Sequence, residues 1–148
     1  MIYLGSDHRG FEYKERLKQW FGDRNIKFED CGAFDLKSDD DFVDFASSVA
    51  RKVMIDSGHR GILICNNGVG MDISANKYDG IRCVLAFDVE QVRLARNDDD
   101  TNVIAIPSGF LSFEKILDLI EVFLNTPFSN QERFNRRLGK IKTIEHGR

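Results

Sequence analysis

Short apolar runs alternate with longer amphipathic segments along the chain. Most of the short runs are rich in Ile, Val and Leu and are bounded by Gly or Asp, as is typical of parallel strands buried on both faces. Five strands are predicted in this way, at residues 2–5, 26–29, 61–65, 81–86 and 102–106.

The segments between these runs have helical periodicity. The strongest stripe has apolar residues at i, i+3, i+4, i+7, i+8, i+11 and i+12, namely Phe42, Phe45, Ala46, Val49, Ala50, Val53 and Met54. A first helix is predicted from Tyr13, Leu17, Trp20 and Phe21, and a later one from Ile116, Leu119, Ile120, Phe123 and Leu124. Further helices are predicted to start near Val89 and to follow Pro127.

This β-α alternation predicts an α/β fold. Parallel strands need crossover connections, which are almost always right-handed, so helices should cover both faces of the sheet. We expect a Rossmann-like three-layer sandwich with a five-stranded parallel sheet and a C-terminal helix, forming one domain over residues 1–148.

Composition narrows the class of partner. Lys and Arg number 21 against 24 Asp and Glu, a net charge of −3, so there is no basic field to attract nucleic acid. No apolar run approaches the ~20 residues of a membrane helix, and the N-terminus lacks a signal-like segment. We therefore expect a cytoplasmic protein with a small-molecule partner, no nucleic acid and no membrane. The three cysteines have no C-x-x-C spacing, which argues against a disulfide framework or a structural zinc site.

Ligands of open parallel sheets bind beyond the carboxyl ends of the strands, commonly between the first and third strands. Cys65 ends the third predicted strand, just before a glycine-containing turn where backbone N–H groups and a helix dipole would favour a thiolate. It could be a base or nucleophile, or simply a small buried residue. After the first strand, the His8 imidazole could bind phosphate or move protons, and the Asp7 carboxylate could hydrogen-bond sugar hydroxyls. Alternatively, the two residues could cap the helix that begins near Phe11.

Gly68 and Gly70 let the backbone approach a ligand, and consecutive N–H groups there could hold a phosphate or an oxyanion. The G-x-G-x-x-G pattern fails at Ile73, and no G-x-x-x-x-G-K-[ST] loop occurs, so neither NAD nor ATP is expected as a cofactor. The few histidines lack metal-ligand spacing, so no catalytic metal is expected. Arg133 and Arg137 lie one helical turn apart and could hold a phosphate, although a solvated basic tail is the default interpretation.

Three stretches of the chain form recognisable motifs: Gly5-Ser6-Asp7-His8-x-Gly10-Phe11, the long segment from Cys65-x-x-Gly68-Val69-Gly70-Met71 to Gly80-Ile81-Arg82, and Asp100-x-Asn102-Val103. They resemble the type B ribose-5-phosphate isomerases and the related galactose-6-phosphate isomerase subunits. The segment Leu124-Asn125-Thr126-Pro127-Phe128, followed by Arg133 and Arg137, fits the C-terminal region of the family.

The resemblance implies an aldose–ketose isomerisation of a phosphorylated sugar without a metal or other cofactor, through a cis-enediolate. Cys65 would move the proton, and the backbone from Gly68 to Gly70, including Val69, would stabilise the oxyanion. Asp7 and His8 would position the sugar, while His8, Arg133 and Arg137 would hold the phosphate. The resemblance also implies a homodimer or a dimer of dimers in which two subunits complete each active site.

Several positions depart from the family pattern. Asp98 stands where the family has the histidine that opens the sugar ring, within Arg96-Asn97-Asp98-Asp99-Asp100, and Asp98 and Asp99 are kept as site candidates. Asn66 replaces a usual Gly, Asn67 replaces a usual Thr, and Pro107-Ser108-Gly109 replaces Gly-Ala-Arg. An aspartate with an ordinary pKa of about 3.9 supplies a base but no acid near neutral pH. We therefore expect a preference for open-chain substrates or for a sugar other than ribose 5-phosphate.

Two other functions remain open at this point. A non-catalytic or partner-dependent homologue that binds phosphosugars would explain the replaced histidine and arginine. A flavodoxin-like binding module is the third possibility, and flavin absorbance of the purified protein would distinguish it.

Overall fold

The computed structural model describes residues 1–147 and confirms the predicted α/β architecture. Five parallel strands form one sheet in the order β2-β1-β3-β5-β4. The strands are β1 Ile2–Ser6, β2 Phe28–Asp30, β3 Arg60–Cys65, β4 Cys83–Leu85 and β5 Val103–Pro107. The helices are α1 Phe11–Asp23, α2 Phe42–Val53, α3 Val69–Ala75, α4 Val89–Asp99, α5 Phe113–Asn125 and α6 Glu132–His146.

Helices pack on both faces of the sheet, as the right-handed crossover rule requires. One apolar cluster joins α2 and α3 to the sheet, with Val49, Leu63 and Met71 among its buried residues. The other joins α1, α4 and α5 to the opposite face through residues such as Leu17 and Ile104. Among residues 1–147, no helix is long and apolar enough to cross a membrane.

The two edge strands are shorter than predicted or displaced in sequence. The apolar run at 81–86 forms a strand only from Cys83 to Leu85, which pair with Val103 to Ala105 of β5. Ile26 precedes β2, which pairs with β1 from Phe28 to Asp30. An edge strand has a neighbouring strand on one side only. Its length is therefore limited to the stretch where that neighbour has free backbone N–H and C=O groups. The apolar composition of a segment does not show where that stretch lies.

The strand order reverses at β1, because β2 lies on one side of it and β3 on the other. The loops after β1 and β3 therefore leave neighbouring strands at the same edge, called here the carboxyl edge. Ser6 pairs with Ile64, and Cys65 pairs with Pro107, so the ends of β1, β3 and β5 are adjacent. This is the crevice where ligands of open α/β sheets bind.

Candidate active site

The Cys65 thiol lies beneath the turn that follows β3. Its residue is 4% exposed, and its Sγ accepts a hydrogen bond from the Gly68 backbone N–H at 3.1 Å. The turn is possible because Gly68 adopts the left-handed conformation, with φ of 74°, before α3 begins. The predicted strand–glycine turn–helix sequence is therefore observed, with the thiol at its centre.

Burial and backbone hydrogen bonds act in opposite directions on the pKa of this thiol. Desolvation raises the pKa of Cys65; the Gly68 N–H opposes that shift, while the charge of Asp7 adds to it. The backbone N–H groups of Asn67 and Met71 also lower the pKa, but the net direction is upward. The turn therefore acts in the expected direction, since its N–H groups favour the thiolate, but burial of the sulfur outweighs them and favours the thiol.

Asp7 organises the loop after β1. Its Oδ1 accepts the backbone N–H groups of Arg9 and Gly10, both at 3.0 Å. The N-cap of α1 is Gly10, and no side chain caps it, so Asp7 folds the loop ahead of the helix rather than capping it. Burial raises the pKa of the Asp7 carboxyl, and the two backbone hydrogen bonds oppose that change.

His8 is paired with a residue that the sequence analysis missed. Its Nδ1 lies 2.6 Å from Asp40 Oδ1, although Asp40 belongs to the loop between β2 and α2. Asp40 sits within an acidic run at 39–41, in a loop without periodicity, and no sequence pattern singles it out.

The Asn66-Asn67 pair occupies the turn directly after Cys65, and both side chains are exposed. Asn67 Oδ1 accepts the Val69 backbone N–H at 3.1 Å, which fixes the start of α3. The Asn66 carbonyl accepts the Gly109 N–H at 2.8 Å. A Cβ on Gly109 would come within 2.4 Å of Asn66 Oδ1, so the side chain of Asn66 fills the space that a residue larger than glycine needs there.

The loop after β5 is tied to the loop after β3. The Ser108 N–H and its hydroxyl both donate to the Cys65 carbonyl, at 2.9 and 3.0 Å. Ser108 is thus a second residue of the site whose role the sequence did not indicate. Together, the loops after β1, β3 and β5 form the carboxyl-edge group, which contains Asp7, His8, Cys65, Asn66, Asn67, Gly68, Val69 and Gly70.

The remaining predicted site residues lie at the opposite edge of the sheet, where the strands begin. They are called here the amino-edge group and are Asp98, Asp99, Arg133 and Arg137. Helix α4 starts after the carboxyl end of β4 and runs back, so its last residues lie near the amino ends of the strands. Arg82, which directly precedes β4, donates from Nε to the carbonyls of Asp99 and Asp100 at 3.0 and 2.9 Å. Asp98 and Asp99 are therefore at the opposite edge of the sheet from Cys65 of the same chain.

Arg133 and Arg137 belong to this amino-edge group. Both guanidinium groups are exposed and lie against the ring of Phe134, 4.5 and 5.6 Å from its centroid. The pKa of the Asp99 carboxyl is raised by burial and by Asp98, while the nearby charge of Arg137 opposes this. The arginine pair and the two aspartates thus share one region, reached through α4 and α6.

Two cations offset the negative charge at the Asp100 end of the Asp98–Asp100 run. Asp100 accepts from Arg82 Nη2 at 2.8 Å and from Arg96 Nη1 at 2.9 Å. Asp98 accepts from the Asn97 side chain at 2.7 Å. Among residues 1–147, no group of three His, Cys, Asp or Glu side chains is arranged to hold a metal ion.

Comparison with known proteins points to one family. The family model described as Ribose/Galactose Isomerase matches residues 2–141. Ribose-5-phosphate isomerase B of Mycolicibacterium paratuberculosis is 36% identical over 144 residues, covering 97% of this chain and 91% of that protein.

Solved structures agree with that match. A ribose 5-phosphate isomerase from Thermotoga maritima superposes with a TM-score of 0.91 at 35% identity, covering 96% of this chain and 97% of the other. Ribose-5-phosphate isomerase B from Mycoplasma genitalium, solved with bound ribulose-5-phosphate, gives 0.93 at 33% identity, covering 98% and 95%.

Proposed function

The chain belongs to the ribose/galactose isomerase family, and from that premise we propose that it interconverts an aldose phosphate and a ketose phosphate with Cys65 as the base. The observation that carries this proposal is the Cys65 thiol, placed under the Gly68 turn at the strand-order reversal. We propose that residues 1–148 act as one sugar-phosphate isomerase domain.

In the proposed reaction the Cys65 thiolate removes the proton from the carbon beside the substrate carbonyl. The electron pair moves to the carbonyl oxygen, giving a cis-enediolate, and the proton of the adjacent hydroxyl passes to that oxygen. The thiol then returns its proton to the former carbonyl carbon while the adjacent carbon becomes the new carbonyl. Backbone N–H groups from Gly68 to Gly70 stabilise the enediolate oxygen, which takes the place of their present acceptors, Cys65 Sγ for Gly68 and Asn67 Oδ1 for Val69. The side chains of Asn66, Asn67 and Asp7 contact the sugar hydroxyls.

The separation of the two residue groups supports a shared site. Within one chain, the amino-edge group cannot meet Cys65, because the two lie at opposite edges of the sheet. The group consists of Asp98, Asp99, Arg133 and Arg137. A second copy of the chain would bring its amino-edge group to the carboxyl-edge group of the first. We propose that Arg133 and Arg137 of this second copy hold the phosphate, so the active form is a homodimer or a dimer of dimers.

The test is solvent deuterium exchange at C1 or C2 of a panel of pentose and hexose phosphates, followed by NMR. Cys65→Ser should remove exchange while preserving the fold. Cys83→Ala is the matched control, because Cys83 lies in β4 and not at the carboxyl edge, and it should affect stability but not exchange. If Cys65→Ser exchanges at the wild-type rate, Cys65 is only structural.

Asp98 and Gly109 depart from the family pattern, and these departures favour one second candidate function. The protein would bind phosphosugars without converting them, or would convert them only together with a different partner chain. Binding of a sugar phosphate without any exchange by the wild-type protein would support that alternative.

A further inference from the structure

The His8 imidazole is held by a carboxylate from a distant loop. Asp40 Oδ1 lies 2.6 Å from His8 Nδ1 and also accepts the His8 backbone N–H at 3.1 Å. The Asp40 side chain is 10% exposed and the His8 side chain 24%, so the contact is mostly shielded while the imidazole keeps a partly open surface. An acceptor on Nδ1 selects the tautomer with its proton there and leaves the lone pair on Nε2.

The surroundings of His8 are negative. Asp7 precedes it in the chain and interacts electrostatically with both His8 and Asp40. Asp40 Oδ2 is buried and has no hydrogen-bond partner among residues 1–147. The two carboxylates would stabilise a transient positive charge on the imidazole.

The proposed reaction lacks an acid for one step. Opening a cyclic sugar requires a base for the anomeric hydroxyl and an acid for the ring oxygen. A histidine at the family's ring-opening position has one donor and one acceptor nitrogen, whereas Asp98 offers a carboxyl group that already accepts a hydrogen bond from Asn97. His8 lies at the carboxyl edge with Cys65, where the sugar would be.

We infer that His8, positioned by Asp40, opens the sugar ring, an inference that rests on the isomerase function proposed above. The Nε2 lone pair takes the proton of the anomeric hydroxyl, and Asp40 stabilises the resulting imidazolium. As the bond between the anomeric carbon and the ring oxygen breaks, its electron pair goes to the ring oxygen, and the anomeric carbon becomes a carbonyl. Nε2 then returns the proton to the ring oxygen. One nitrogen can serve both oxygens because both are bonded to the anomeric carbon.

Two assays separate ring opening from the proton transfer by Cys65. Ribulose 5-phosphate is acyclic, since its 5-oxygen carries the phosphate, and deuterium exchange at its C1 needs no ring opening. Conversion of ribose 5-phosphate, which is mostly cyclic, needs both steps. His8→Gln should lower ribose 5-phosphate conversion about 100-fold and ketose exchange less than about threefold.

Asp40 is tested as a positioning residue. Asp40→Ala should lower conversion of the aldose selectively, and Asp40→Asn, which keeps an acceptor oxygen, should restore part of it. In ¹⁵N NMR of histidine-labelled protein, the Nδ1–H tautomer of His8 should be present in the wild type, lost in Asp40→Ala and retained in Asp40→Asn. Asp39→Ala, an exposed neighbour, and His59→Gln, at the other edge of the sheet, are matched controls and should change neither assay.

Equal losses in both assays for His8→Gln would overturn the inference and make His8 a general substrate ligand. Unchanged conversion of the aldose, or an Nε2–H tautomer of His8 in the wild type, would also overturn it. A wild-type protein that exchanges no ketose phosphate would overturn the proposed function instead, and that result is obtained before any variant is made.

Discussion

Cys65 enters the proposed reaction as a thiol. Burial raises its pKa above the usual 9.0, and the N–H of Gly68 only partly offsets this. The base is the thiolate, so the reactive fraction grows about tenfold per pH unit below the pKa. We expect kcat/KM to rise from neutral pH to beyond pH 9, and a flat profile between pH 7 and 9 would contradict Cys65 as the base. The measurement is the pH dependence of deuterium exchange into an acyclic ketose phosphate.

Asn66 and Gly109 form an interlocked pair, and this predicts a non-additive double mutant. Gly109→Arg should destabilise the protein, because its Cβ would meet Asn66 Oδ1 at 2.4 Å. In an Asn66→Gly background the same change should cost at least about 1 kcal/mol less, the range of coupling between contacting residues. Urea unfolding of the two single variants and the double variant gives the coupling, and additive effects would show that the loops relax independently.

The sequence indicates Cys65, Gly68 and Asp7 as site residues because each lies at or just after the end of a predicted strand. The local pattern locates the strand, and the fold class places its carboxyl end at the ligand crevice. It does not indicate Asp40 or Ser108. Their partners, His8 and the Cys65 carbonyl, are 32 and 43 residues away along the chain, so only tertiary structure brings them together. The direction of the Cys65 pKa shift also depends on burial, which a strand-end position does not specify.

At the scale of elements, α1 is attached to β2 by a buried ion pair. Lys14 is fully buried, and its Nζ lies 2.7 Å from both carboxylate oxygens of Asp30. Lys18, on the next turn of α1, also contacts Asp30 at 2.7 Å. Burial alone would raise the pKa of Asp30, but hydrogen bonds from Lys14 and Lys18 outweigh it and lower that pKa.

Asp30→Ala should destabilise the protein by about 3 kcal/mol, because it leaves the Lys14 ammonium buried, with the weaker contact to Glu15 as its remaining ion pair. Since the folded pKa of Asp30 is lowered, its contribution is present above pH 3.8 and is lost as pH falls through the folded value. The acid limb of the stability curve should therefore flatten in Asp30→Ala. Glu29→Gln is the matched control, since Glu29 pairs with Lys52 at the surface and should barely change the urea midpoint. Equal effects of the two variants would contradict the role of burial.

The apolar pattern predicts α1 from Tyr13, Leu17, Trp20 and Phe21, and the structure buries Leu17 and Phe21 as expected. The structure also buries Lys14 on the same face of α1, where a hydrophobic pattern predicts only apolar residues. The Lys14 ammonium is tolerated there because Asp30 of β2 neutralises it. The sequence does not reveal this partner, because the pairing depends on where β2 lies relative to α1.

At the scale of the whole molecule, the proposed site is divided between opposite edges of the sheet. The strongest consequence is subunit complementation. Cys65→Ser and Arg137→Ala should each be inactive alone, but mixing and reassociating them should recover about a quarter of the wild-type activity, because half of the dimers would be mixed and each would hold one intact site of two. Activity after reassociation is the measurement. No recovery, with mixed dimers shown by mass spectrometry, would place both residues in one chain's site.

The fold class and the approximate places of the five strands along the chain follow from the alternation of short apolar runs with helical periodicity. The exact bounds of the two edge strands do not. The division of the proposed site between the two edges of the sheet does not follow from these patterns. Asp98 and Arg137 are linked to Cys65 in the sequence only by the family resemblance, and the direction of α4 places them at the far edge.

The Cys65 carbonyl receives two hydrogen bonds from Ser108, and the Asn66 carbonyl receives one from Gly109. The floor of the crevice is therefore already ordered when the chain has folded, and its conformational entropy has been lost before any sugar arrives. A ligand that settles on it need not order these loops, so more of its contact free energy is expressed as affinity. Discrimination between sugars then rests on the fit of their hydroxyl groups to a fixed surface rather than on how well each one induces closure.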